Sequence, residues 1–174
     1  MPTKVVAYLA DGTMSGSLAR PDPLRTALED AGGLPLEAAS WAAIDAPTPV
    51  AAGSATLAPD DVLVAIGDDE PATPVHATWH HVSLVTGPWV IEGDLPTMPG
   101  FDPGRALTRP SGEFVLLRDV RVAAIDRPDQ DIARSDHGFV NRYAVERIRA
   151  ELMLGFFFPG ATVEATAGGV GVRP

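Results

Sequence analysis

Cysteine is absent from all 174 residues, which removes disulfide bridges, thiolate catalysis and cysteine-based zinc sites in one step. Lysine is almost absent: Lys4 stands alone against twelve arginines, and with abundant Ala, Gly and Pro this usage points to a GC-rich bacterial coding sequence. Long apolar runs are missing too. The longest, "LMLGFFFPG" at 152–160, is broken by Gly155 and closed by Pro159, well short of the roughly 20 residues a membrane-spanning helix needs. The start, "MPTKVVAYLADG", has one cation before a short apolar stretch and no small-residue cleavage site behind it, so a cytoplasmic protein without membrane association is expected.

What is present is acid and a sizeable apolar fraction. Hydrophobic residues make up 45% of the chain and the net charge is −10, the composition of a soluble globular domain rather than a disordered one. The charge is lopsided. Residues 1–79 carry three cationic side chains against eleven acids, whereas residues 80–174 carry ten against twelve. An acidic chain repels a phosphate backbone unless its arginines gather on one face. Nucleic acid is therefore a less favoured partner than protein, and the second half is where it would bind.

The chain also repeats itself. "AAID" occurs at 42–45 and 123–126, each time followed by one residue and Pro. Other landmarks keep the same order: Gly16-Ser17-Leu18 falls on Gly93-Asp94-Leu95 at a spacing of 77, and "DPLR" (22–25) falls on "DPGR" (102–105) at a spacing of 80. "DDVLVAIG" (60–67) is set against "HGFVNRYAV" (137–145). Landmarks in one order with loop-sized changes of spacing indicate an internal duplication. We expect copies over 1–75 and 82–155, a connector at 76–81 and a tail at 156–174.

Each copy has a similar local grammar. "VVAYLADGTMSGSL" alternates around Asp11-Gly12 and reads as a β-hairpin; "VSLVTGPWVIEGDL" does the same around Gly87-Pro88. Gly16 and Gly93 interrupt the return strands, where glycine marks a bulge or sharp bend. Asp22 is expected to cap a short helix that begins at Pro23 and ends by Gly32 or Gly33. "LPLEAASWAAID" and "EFVLLRDVRVAAID" read as long strands ending in Asp-x-Pro turns. A strand is expected over 138–142, and a helix or mixed geometry over 143–154, where Ala144, Val145, Ile148 and Leu152 share a helical face.

This grammar resembles the Sm-like fold, most closely in "IEGDLPTMPGFDP" and "FVNRYAVERI". The stretch 82–148 is also similar to an uncharacterised bacterial small β-barrel domain family, through Ile91, Gly93, Leu95, Phe114, Leu117, Asp119, Val122, Val140 and Asn141. The resemblance implies a mainly β chain of two tandem Sm-like or SH3-like barrels with one or two short helices. It further implies RNA contact at the loop after Gly-x-Leu and at Asn141-Arg142.

Candidate binding residues follow from the repeated loops. Arg25 and Arg105 recur in matching sequences beside Asp22 and Asp102, and two guanidinium groups so placed suit a bidentate clamp on an anionic ligand or a partner's carboxylates. The plainer role is for each Arg to pair with its own Asp. Asn141 and Arg142 complete the set. His76, His80 and His81 form no metal site on a strand, because His76 and His80 lie roughly 13 Å apart and His81 faces the other way. Asp129, Asp131, Asp136 and His137 lie in "RPDQDIARSDHG", which reads as a solvated acidic loop and not as a triad or a calcium loop. Trp41, Trp79 and Trp89 read as core or sheet anchors. The tail segment "ATVEAT" suits strand addition to a neighbouring subunit.

No cofactor motif is present. The expected function is non-enzymatic: an assembly or binding module for protein or an anionic ligand, forming homo-oligomers because small barrels leave strand edges open. The alternative is RNA binding through Arg118, Arg121, Arg142, Arg147 and Arg149.

Overall fold

Strands β1 (Lys4–Leu9) and β2 (Gly12–Leu18) form the first hairpin, with Leu9 opposite Gly12. The structure, a computed structural model, describes residues 1–97, 112–150 and 157–165. A helix α1 (Leu24–Leu28) follows, then β3 (Leu34–Ala43), β4 (Val50–Leu57), a 3-10 turn (Pro59–Asp61) and β5 (Val64–Gly67). The second half contributes β6 (Thr78–Thr86), β7 (Trp89–Thr97), β8 (Phe114–Ala124), β9 (Arg127–Asn141), β10 (Arg147–Ala150) and β11 (Thr162–Ala165). All eleven strands lie in one sheet, in the order β11-β10-β6-β7-β8-β9-β5-β1-β2-β3-β4.

The chain is thus mainly β, as expected, but the sheet does not close into barrels among the described residues. The reason lies in the choice of partners. β9 pairs antiparallel with β5 of the first half, Val140 opposite Val64 and Phe139 opposite Ala65, while among the described residues β4 pairs only with β3. Pairing that would seal one half is spent on joining the two.

The glycines inside the return strands act as read from the sequence. The β2·β3 ladder slips between Ser15 and Ser17, and the β7·β8 ladder between Glu92 and Asp94. A side chain at Gly16 would meet the Glu37 carbonyl at 2.9 Å, and one at Gly93 the Arg118 carbonyl at 3.0 Å. In both ladders the extra residue lies on the strand facing the glycine, where Ala38 and Asp119 adopt left-handed backbone, with φ of 49° and 52°.

Two expectations are corrected. The acidic stretch 127–137 is not a loop but most of β9, held to β8 through pairs such as Arg121 opposite Arg134. Residues 147–150 are strand, not helix, because their alternation of exposed Arg147 and Arg149 with buried Ile148 and Ala150 fits a strand beside β6. β10 lies antiparallel against β6, as β5 lies against β1.

Two apolar clusters flank the sheet. One gathers Val82, Leu84, Ile91, Leu117, Val122 and Ile148 with Tyr8 and Val64 of the first half. The other gathers Leu18, Leu24, Leu28, Leu34 and Leu36 with Phe114, Leu116 and Phe139 of the second. Each core therefore draws on both halves. At the seam Trp89 meets Tyr8 edge-on, ring centroids 5.3 Å apart, and donates its indole N–H to the Leu9 carbonyl at 2.8 Å. Burial pushes the Tyr8 hydroxyl up to about 12.

Candidate functional site

Helix α1 carries the first of the expected site residues. Its cap differs from the sequence reading: Pro23 holds the cap position, and the Leu24 N–H donates to the distant Asp69 carboxylate at 3.0 Å. Asp22 makes no capping hydrogen bond. Arg25 leans along the helix to Glu29, at 3.8 Å, instead of pairing with Asp22. Asp102 and Arg105 lie outside the described residues, so the paired clamp is seen only in its first member.

Asn141 and Arg142 are both buried, and Asn141 belongs to the joint between halves. Its amide Nδ2 donates to the Val62 carbonyl at 3.2 Å, its backbone N–H to Leu63 at 2.9 Å, and its Oδ1 accepts the Tyr143 N–H at 3.0 Å. These bonds satisfy groups at the end of β9 that would otherwise be buried unpaired. Burial first, and repulsion from Arg25 in addition, hold the Arg142 guanidinium below its usual range. Arg25 and Arg142 are therefore brought near each other, though from different motifs than the sequence suggested.

Five further arginines of the second half stand in ion pairs across exposed strand faces. Arg121 binds Asp131 at 2.5 Å and Glu92 at 2.6 Å, and Arg134 takes the other Asp131 oxygen. Hydrogen bonds from Arg121, then from Arg134, hold the Asp131 carboxyl below its ordinary value. Arg118 lies 4.1 Å above the Trp79 ring and near Asp94 and Asp119. Arg149 and Arg147 approach Glu164 of β11 at 3.4 and 4.0 Å. His80 bonds Thr97 at 2.8 Å while His81 faces Asp94 at 3.4 Å, and among the described residues no three metal-type ligands converge. Asp129 and Asp136 are exposed along β9. A shallow groove of about 560 Å³ beside the first hairpin is lined by Lys4, Ser15, Ser17, Asp68 and Arg134.

The most exposed regular element is β4, "VAAGSATL". It carries no charge and no proline, and Val50 to Ser54 are all exposed. Among the described residues no strand lies beside its outer side. The Thr56 N–H points to that side. Thr56 stands opposite Pro35, whose carbonyl already accepts the Ala19 N–H from across β3, so β3 leaves the Thr56 amide unused. Sequence reading missed this strand because Ala, Gly and Ser carry little β preference; the only trace was the half-buried alternation Ala55, Leu57. The opposite end of the sheet is covered by β11.

Comparison with protein-family models, with curated proteins and with solved structures finds no match.

Proposed function

We propose that the protein is a non-enzymatic assembly module built from two copies of a five-strand unit, and that it associates by strand addition at its β4 edge. The observation that carries this is the edge itself: an uncharged eight-residue strand lacking proline, with its outer hydrogen-bonding side open. Native sheets normally guard such an edge with charge, proline, cover or a bulge; β4 is bulged only around Gly53, whose φ is 69°, and its 55–57 end is regular and has none of these guards. Its bareness fits a surface kept for pairing.

The tandem reading is supported by geometry at matching positions. Strand order runs β5-β1-β2-β3-β4 in one half and β10-β6-β7-β8-β9 in the other. The hairpins close on Leu9 with Gly12 and on Thr86 with Trp89, both 77 residues apart. The bulges at Gly16 and Gly93 share that spacing, and Ala38 and Asp119 stand 81 apart, as do the "AAID" stretches. On this reading the β9·β5 joint is one copy docking on the next. The ion pairing of Arg118, Arg121, Arg147 and Arg149 favours protein over RNA, since a phosphate would have to displace a carboxylate from each.

Light scattering over a concentration series tests the reading. The molar mass of the native chain should climb above the 18.2 kDa of one copy, and Thr56→Pro, which removes the outward N–H without breaking a hydrogen bond to β3, should hold it near that value. Coincident curves for the two proteins would overturn the proposal.

A further inference from the structure

We infer that β11 is a stopper: it occupies the seat on β10 where β4 of a second copy docks. This rests on the strand-addition reading and names its receiving surface.

The internal joint is the template. There β9 lies antiparallel on β5, with Val140 opposite Val64, Phe139 opposite Ala65, and the Asn141 N–H donating to the Leu63 carbonyl at 2.9 Å. β5 sits behind β1, with Val64 opposite Tyr8 and Ala65 opposite Ala7. β10 sits behind β6 in the same way, with Arg147 opposite Val85 and Ile148 opposite Leu84. Since Tyr8 and Val85 are 77 apart, as are Ala7 and Leu84, Arg147 and Ile148 hold the places of Val64 and Ala65. The donor strand transfers likewise. Leu34 faces Leu57 and Pro35 faces Thr56, while Val115 faces Val140 and Leu116 faces Phe139. Leu57 and Thr56 therefore hold the places of Val140 and Phe139. Repeating the joint outward sets Leu57 of one copy opposite Arg147 of another, and Thr56 opposite Ile148.

Thr162 and Val163 now fill those two positions. The Thr162 N–H donates to the Glu146 carbonyl at 2.8 Å, the bond that Asn141 makes to Leu63 at the internal joint. The substitute is a weak one. It is four residues long and parallel, a pairing slightly less stable per residue than antiparallel. Its ion pairs through Glu164 are solvent-exposed and contribute little. Buried Phe158 and half-buried Phe157 and Val163 anchor it to the core. A second copy's β4 runs antiparallel along all four residues of β10, Leu57 to Ser54 against Arg147 to Ala150, and comes from the half that bears most of the negative charge, whereas β10 carries Arg147 and Arg149. Charge complementarity of this kind speeds encounter.

The absence of native cysteine supplies a clean test. Val140 and Val64 form a non-hydrogen-bonded pair, because the bond runs from Asn141 to Leu63 on their flank; such pairs hold Cα atoms about 4.5 Å apart, within disulfide reach. Chains carrying Leu57→Cys are mixed with chains carrying Arg147→Cys and oxidised gently, with β11 intact or unseated by Thr162→Pro with Glu164→Lys in the full chain. Unseating should raise the yield of the mixed dimer at least tenfold, and Thr56→Pro in the Leu57→Cys chain should abolish it. Equal yields with and without unseating would overturn the stopper, even where Thr56→Pro still suppresses association and the strand-addition reading stands. Loss of the Thr56→Pro effect would instead overturn that reading. Should circular dichroism show the double variant unfolded, Glu164→Lys alone must raise the yield severalfold; no increase would likewise overturn the inference.

Discussion

Ala38 and Asp119 carry left-handed backbone inside long strands, where the Cβ of an L-residue crowds the carbonyl and costs about 1–2 kcal/mol. Aspartate tolerates that region better than alanine because its short side chain can bond locally. Ala38→Gly should therefore raise stability, by roughly 0.5–1 kcal/mol after the flexibility that glycine adds to the unfolded chain, and Asp119→Gly by less. Urea midpoints would check both; a lower midpoint for Ala38→Gly would contradict the argument. The partners of these residues were legible in the sequence, because Gly16 and Gly93 interrupt alternating strands and glycine there marks a bend. Ala38 and Asp119 were not, since neither residue type announces a bulge.

At the scale of elements, hairpins and long buried strands were readable from alternation, and the failures share a cause. β9 looked like a loop because "RPDQDIARSD" has the composition of one; it is strand because β8 supplies a ladder and Arg121 a partner for Asp131. β10 showed a helical face on paper, and the two-residue alternation of "RIRA" prevailed once β6 offered an edge. Of the site residues, Arg25 pairs within its helix and Asn141 fastens a joint. That role is testable. Asn141→Ala leaves the Val62 carbonyl and the Tyr143 N–H without their side-chain partners, and should cost about 1–3 kcal/mol. Hydrogen exchange should speed up at Ala65, on the strand that β9 covers; a stability within 0.5 kcal/mol of the native chain, about the scatter of surface substitutions, would refute it.

Across the whole molecule, the sharing of strands between the two cores makes the halves interdependent. Tyr8 reaches into the second core and Phe139 into the first, so neither half keeps its apolar face covered alone. Urea unfolding should follow one transition, seen alike by tryptophan fluorescence and far-ultraviolet circular dichroism. The transition should also depend on alkali. The Tyr8 hydroxyl titrates near 10 when unfolded and at about 12 in the native chain, so its contribution is complete below pH 10 and is lost as pH rises through 12. The midpoint should fall across that window and the fall should vanish in Tyr8→Phe; two separate transitions, or an unchanged pH profile in Tyr8→Phe, would count against this account.

The two ends of the sheet are different strands, an open β4 and a β10 that β11 covers. The molecule thus has a polarity, like a tile with a tongue on one side and a groove on the other. A contact between unlike ends is heterologous and has no two-fold axis, so a pair of copies joined this way still presents one tongue and one groove. Growth then stops only where accumulated twist closes a ring or a covered groove ends the row.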